Sequence, residues 1–251
     1  MYLLTASLFA MSMALAGTPR PAAKEMRLFE LRTYHAAAGK LDALNARFRD
    51  HTTKLFEKHG ITNVGYWVPS DNKNNLLIYL LAFPDKEAHD KSWKEFAEDP
   101  DWKSAREASE VNGRLVDKVD SLFLNATDYS PKVKSVARKK ERLFELRTYT
   151  TNPDKLNDLH ARFHDHTIGI MKRYGAEIIG FWVPTDKEHG SENTLVYILA
   201  HKSREKSQEM AEKFPKDPEW LKAKEESEKS GKLVDKVESV FMAPVDYSAM
   251  K

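Results

Sequence analysis

The stretch Arg27-Leu-Phe-Glu-Leu-Arg-Thr-Tyr34 decides the fold because the chain contains it twice. Arg142 to Tyr149 repeats it letter for letter, 115 residues further on. Outward from this octapeptide the two copies keep step. Ala46-Arg-Phe-Arg-Asp-His-Thr52 returns as Ala161-Arg-Phe-His-Asp-His-Thr167, and Gly65-Tyr-Trp-Val-Pro69 returns as Gly180-Phe-Trp-Val-Pro184. Three extra residues near Glu188–Gly190 lengthen the offset to 118, after which Asp99-Pro-Asp-Trp102 matches Asp217-Pro-Glu-Trp220 and Leu115-Val-Asp-Lys-Val119 matches Leu233 to Val237. Pairing 27–71 with 142–186 gives 23 identities in 45 positions, and pairing 76–130 with 194–248 gives 24 in 55. One domain is present twice, at 27–130 and 142–248.

Each copy reads strand, helix, strand, strand, helix, strand. Leu28 to Tyr34 alternates in the two-residue period of a strand. Leu41, Leu44, Phe48, Thr52, Leu55 and Phe56 recur at helical spacing, and Gly60 stops that helix. Val64, Tyr66 and Val68 predict a second strand ending at Pro69. A polar turn at Ser70 to Asn75 leads into a third over Leu76 to Phe83. A helical stretch begins at Lys86, and Asp99-Pro100 starts another turn with Asp as cap and Pro in the first helical position. Asn112-Gly113 ends it before a last strand from Val116 to Leu124. The order βαββαβ is that of a ferredoxin-like unit.

Helices cover one face of such a unit and leave the other face of the sheet bare. The alternation of strand one puts Phe29, Leu31 and Thr33 on one face, read as the helix side. Glu30, Arg32 and Tyr34 then fall on the other, together with Trp67 of strand two. Pressing the two bare sheets together buries these aromatics. The expected fold is α+β: two tandem ferredoxin-like units packed sheet to sheet as an intramolecular, pseudo-dimeric α/β barrel.

Composition excludes more than it names. Lys+Arg 40 against Asp+Glu 38 leaves a net charge of only +2, which argues against a nucleic-acid partner. With no Cys there is no disulfide, thiolate nucleophile or Cys-bound metal. No G-x-G-x-x-G, Walker loop, G-x-S-x-G, H-E-x-x-H or RNP1-like motif occurs. The first residues, Leu3 to Ala16, are apolar or small without a charge and end in Ala14-Leu15-Ala16. They predict a cleavable export signal over 1–16, too short to span a bilayer. A mature, periplasmic or secreted chain without stable membrane insertion would then carry a flexible segment over 17–26 and a basic linker over 131–141.

Leu-Phe-Glu-Leu-Arg-Thr-Tyr, the Asp-His-Thr of helix one, Gly-Tyr-Trp-Val-Pro, Asp-Pro-Asp-Trp and Leu-Val-Asp-Lys-Val together resemble a NIPSNAP domain, in both copies. The resemblance implies the dimeric α/β-barrel superfamily. It implies little about activity, since that superfamily includes cofactor-free monooxygenases and haem enzymes, while eukaryotic NIPSNAP members are associated with mitochondria and protein interactions. An export signal departs from the mitochondrial setting.

Two sets of residues are candidates for function. Glu30, Arg32, Tyr34 and Trp67, with Glu145, Arg147, Tyr149 and Trp182, are expected to line the barrel. There they form either a polar ligand pocket or a ladder of ion pairs between copies, Glu30 with Arg147 and Arg32 with Glu145. His51 and His166 follow Asp at the edge of the apolar stripe of helix one, as half-buried structural histidines or as a general base or haem ligand. His160 and His164 stand one helical turn apart, but Asn45 and Arg49 replace them in the first copy, so no metal site is expected. The leading expectation is a non-enzymatic barrel that binds a small molecule or a protein, with no cofactor, monomeric and able to assemble further. The alternative is a small-molecule oxidoreductase, cofactor-free or haem-dependent, using a barrel-mouth His with Trp67 or Trp182.

Overall fold

In the computed structural model, which describes residues 28–135 and 141–251, both copies fold with the same succession of elements. The first contains β1 (Leu28–Ala36), α1 (Leu41–Arg47), α2 (Thr53–Lys58), β2 (Thr62–Pro69), β3 (Leu76–Phe83), α3 (Lys86–Glu98), α4 (Pro100–Ser109) and β4 (Val116–Ala126). The second contains β5 (Leu143–Thr151), α5 (Leu156–Arg162), α6 (Ile168–Arg173), β6 (Glu177–Pro184), β7 (Thr194–His201), α7 (Arg204–Lys213), α8 (Pro218–Ser227) and β8 (Val234–Pro244). The export signal, the segment after it and residues 136–140 of the linker lie outside the described residues. Among the described residues no helix is long and apolar enough to cross a membrane.

All strand pairs are antiparallel, and the order β1-β3-β2-β8-β5-β7-β6-β4 closes on itself. Within a copy the ladders are long: β1 pairs along its length with β3 and β4, and β5 with β7 and β8. Between copies they are short. Trp67, Val68 and Pro69 meet Pro244, Ala243 and Met242, while Leu124, Asn125 and Ala126 meet Pro184, Val183 and Trp182. The barrel's interior makes the junction: the Trp67 ring lies 5.3 Å from Phe144 and the Trp182 ring 5.5 Å from Phe29, each an aromatic pair between copies.

The Gly-aromatic-Trp-Val-Pro motif is explained here. Trp67 and Trp182 are fully buried in the barrel, each with its indole folded back over the glycine two residues earlier. A Cβ on Gly65 or Gly180 would stand 2.4 Å from that ring. A bulge accompanies the motif. Register shifts between Asn63 and Gly65, and between Ile178 and Gly180, so that Val64 and Ile179 are extra residues. The bulge lets both Val64 and Trp67 join the barrel core while Asn63 and Tyr66 turn outward.

One expectation is corrected. Phe29 and Leu31, not Glu30 and Arg32, face the barrel interior, in an apolar cluster with Leu80, Trp182, Met242 and Met250. Glu30, Arg32 and Tyr34 lie on the outer face under the helices, as do Glu145, Arg147 and Tyr149, and no cross-copy ladder of Glu30 with Arg147 forms. The reason is desolvation. On the outer face the helix layer and the adjoining strand supply Glu30 with His89, Trp93 and Ser121 as partners.

Candidate functional site

The two outer-face clusters are built from β1 and β5. Residues 30, 32 and 34 alternate onto one face, so Glu30, Arg32 and Tyr34 stand in a row, with Ser121 of β4 opposite Arg32. Glu30 is almost fully buried, at 1% exposure, and accepts from four side chains. Ser121 Oγ donates over 2.6 Å and the Trp93 indole over 3.0 Å, while Arg32 and His89 Nε2, at 3.2 Å, complete the set. Burial pushes the Glu30 carboxyl up, but hydrogen bonds from His89 and Ser121 and the Arg32 charge outweigh it and hold the pKa at about 2. Arg32 lies with its guanidinium 4.5 Å from the centre of the Trp93 ring and donates to Tyr34 Oη at 3.5 Å.

The second cluster repeats the acid, the guanidinium and the serine but changes the imidazole. Glu145 accepts from Arg147 at 2.7 Å, Ser239 at 2.7 Å and His201 Nε2 at 3.0 Å. His201 ends β7 where the first copy has Phe83, and Ser207 stands where the first copy has His89. The imidazole has moved from helix to strand, and both copies still present one to the buried acid. In the first copy the displaced Phe83 ring packs on His89, with centroids 4.7 Å apart. Trp93 has become Ala211, so Arg147 is left against Tyr149 and Tyr197 and is the more open guanidinium. Burial also pushes the Glu145 carboxyl up; His201, Arg147 and Ser239 bring it below the usual range.

His51 and His166 sit in five-residue π-helical segments, Phe48–Thr52 and Phe163–Thr167, that join α1 to α2 and α5 to α6. In the wide turn the carbonyls of Arg47 and Arg162 accept from the hydroxyls of Thr52 at 3.2 Å and Thr167 at 3.1 Å, five residues on. It also aims Arg47 at the end of α4, where it bonds Glu110 at 2.9 Å and lies over Trp102. Arg162 does the same with Glu228 at 3.0 Å and Trp220. The Asp-Pro-(Asp/Glu)-Trp motif thus caps a helix and supplies the ring beneath this arginine.

His51 is exposed on a shallow cleft of about 450 Å³ with Asp50, Lys54 and Asp101 on its rim. His166 is half-buried. Neither reaches Trp67 or Trp182, which lie on the far side of the sheet inside the barrel. Leu55, Ser104, Ala105 and Ala108 complete the lining of the cleft at His51. Among the described residues no cluster of three or more His, Asp or Glu could hold a metal. His160 bonds Tyr129 Oη at 2.6 Å and His164 bonds Asp165 at 2.6 Å, so this pair is divided between two partners.

Sequence reasoning missed His89, Trp93, Ser121, His201 and Ser239. The serines carried a signal, since Leu-Val-Asp-Lys-Val continues in both copies to a Ser at 121 and 239. The imidazoles carried none, because they occupy unmatched positions.

An eight-stranded antiparallel barrel made from two ferredoxin-like halves defines the dimeric α/β-barrel class, here within one chain. The family model for NIPSNAP matches residues 29–131 and 144–249, and the chain belongs to that family. A monooxygenase-like protein of Lactobacillus acidophilus is similar in fold, with a TM-score of 0.56 at 12% identity over 88% of this chain and 94% of its own. An anthrone oxidase-like protein matches with a TM-score of 0.56 at 10% identity over 91% and 95%. A NIPSNAP domain protein of Burkholderia xenovorans aligns at 22% identity and a TM-score of 0.37 with 41% of this chain and 98% of its own. A search of curated proteins returned no match. At these identities the structural likeness establishes the fold alone.

Proposed function

We propose that the protein is an exported, non-catalytic binding barrel without a resident cofactor, which engages a small molecule or a protein through its outer surface. One observation carries this reading: the buried carboxylates are already saturated. Glu30 accepts from Arg32, His89, Trp93 and Ser121 and titrates near pH 2, so around neutrality it has no proton to give and little basicity to take one. Groups tied down in this way fix a scaffold. The apolar packing of the barrel interior supports the same reading, because it moves recognition to the outside.

The test is native mass spectrometry and an absorbance spectrum on protein purified from its own host. A bound molecule or partner released unchanged supports the proposal. A Soret band that disappears in His166→Ala, or turnover of a released aromatic compound under oxygen, overturns it in favour of an oxidoreductase. Export is tested on the same sample by intact mass. A chain beginning at Gly17 or a few residues later is expected, and a retained Met1 in the cytosol refutes it.

A further inference from the structure

The two longest strands each leave one edge open. β4 runs from Val116 to Ala126 but meets β6 only at Leu124–Ala126, and β8 runs from Val234 to Pro244 but meets β2 only at Met242–Pro244. Among the described residues, the segments before these contacts have β1 or β5 on one side and no strand on the other. The direction of their backbone groups is fixed. Phe123 C=O accepts from Thr185 N–H across the seam at 3.0 Å, and Phe241 C=O accepts from Ser70 N–H at 2.7 Å. Alternate residues of a strand point the same way, so Ser121 and Val119 turn their N–H and C=O groups to the open side, as do Ser239 and Val237, up to the bulges at Asp117 and Asp235 where the register against β1 and β5 shifts.

Two further observations fall on these edges. Val119 is 41% exposed and Val237 46%, and among the described residues they are the large exposed apolar side chains carried by strands. They are the same residue of the two copies. Around each, charge alternates in sign: Asp117, Lys118 and Asp120 in β4, and Asp235, Lys236 and Glu238 in β8. Lys118 already contacts Asp120 at 2.8 Å, His35 contacts Asp120 at 2.7 Å, and Lys236 contacts Glu238 at 2.9 Å.

We propose that these edges join copies of this chain by antiparallel strand pairing. With valine opposite valine, the outward-facing backbone groups of Val119 meet those of Val119 in a second copy, and Ser121 falls opposite that copy's bulged Asp117. Lys118 then stands opposite the second copy's Asp120, and its Asp120 opposite that copy's Lys118. The register is the same for β8 with β8, and for β4 with β8, where Lys118 meets Glu238 and Asp120 meets Lys236. Slipping the pairing so that Lys118 faces Lys118 sets like charges against each other. Edges are commonly guarded by charge, by Pro or by bulges, and each of these edges carries one bulge, at Asp117 or Asp235. Here the charge pattern is self-complementary and the centre is apolar. Because each chain has two such edges, β4-to-β8 pairing repeats from molecule to molecule, whereas pairing through a single edge closes as a dimer.

The experiment is sedimentation velocity of the full mature chain across a concentration series, with circular dichroism to verify folding. Wild type is expected to self-associate. Val119→Pro combined with Val237→Pro, which removes two outward N–H groups without touching the ladders to β1 and β5, is expected to be a monomer. A second pair of variants covers the case in which proline disturbs the strands. Asp120→Lys with Glu238→Lys is expected to weaken association roughly tenfold or more, from two like-charge contacts per junction. Adding Lys118→Asp and Lys236→Asp, which restores alternation with reversed signs, is expected to recover it. A wild-type chain monomeric throughout the series overturns the proposal, since the edges would then be solvated guards. So does association that none of these variants changes.

Discussion

Replacing Glu30 with Gln separates an ion pair held within one copy from one held between copies. Glu30 is buried under α3 with Arg32, His89, Trp93 and Ser121 around it, so the substitution leaves the Arg32 guanidinium facing a neutral amide in a desolvated site. Removing one partner of such a pair costs on the order of 3–5 kcal/mol. The pKa gives an independent figure: a carboxyl held at about 2 against an ordinary 4.5 represents about 3 kcal/mol of stabilisation. The sign follows from the depressed folded value. This contribution is complete above the unfolded pKa and is lost as pH falls from about 4.5 through about 2. Urea unfolding at pH 7 of Glu30→Gln, Arg32→Met and the double variant is expected to show coupling of about 2 kcal/mol. Glu30→Gln combined with Arg147→Met is expected to be additive within about 0.5 kcal/mol, since those groups belong to separate clusters. The wild-type advantage over Glu30→Gln should shrink when the titration is repeated between pH 4 and pH 2.5. Coupling of Glu30 to Arg147 as large as that to Arg32 would refute the placement of these charges on the outer face.

Three other outcomes follow from the same geometry. Gly65→Ala or Gly180→Ala, each forcing a methyl into an indole, is expected to cost about 3 kcal/mol by chemical denaturation, and much less in a background where the following tryptophan, Trp67 or Trp182, is Leu. His89→Ser is expected to destabilise the first copy by about 1–3 kcal/mol, and Phe83→His in the same chain to recover most of that loss by recreating the arrangement at His201. Arg47→Met, which leaves Glu110 with Arg106 as its remaining cation and uncovers Trp102, is expected to lower stability by about 2 kcal/mol in urea titrations, whereas Lys73→Met at an exposed pair should change it by less than about 0.5 kcal/mol.

Much of this architecture was legible in the repeat. Its two occurrences of every strand and helix motif require one fold twice, and the aromatic face of Gly-Tyr-Trp-Val-Pro requires a second sheet to cover it. The facing of β1 was not legible. Phe29-Glu-Leu-Arg-Thr-Tyr34 alternates equally well in either orientation, and only the partners on α3 and β4 decide which set goes inward. Those partners lie 59 to 91 residues away in sequence, beyond the reach of local periodicity. The π-helical turn was hidden for a different reason. Phe48 and Thr52 keep an apolar spacing that an α-helix would also satisfy, and the extra width shows in the carbonyls five residues back that Thr52 and Thr53 take up.

Joining the halves in one polypeptide has a consequence for how this protein can change. In a barrel made from two identical subunits, every substitution is installed twice, on both sides of the symmetry axis. A tandem chain escapes that constraint, because its halves are held at high effective concentration by the linker and never exchange partners at equilibrium. One half can therefore drift while the other preserves the closure. The imidazole that shifts from His89 to His201 and the tryptophan present at 93 but absent at 211 are such drift, in the layer between sheet and helices. The Trp–Phe pairs between halves have stayed alike, while the seams keep Trp-Val-Pro on one strand and differ on the other, Leu124-Asn-Ala126 against Met242-Ala-Pro244. Each half keeps the tryptophan that reaches a phenylalanine of the other, while apolar residues of the interior exchange for one another and the polar clusters under the helices diverge, so one barrel holds two different buried carboxylate sites.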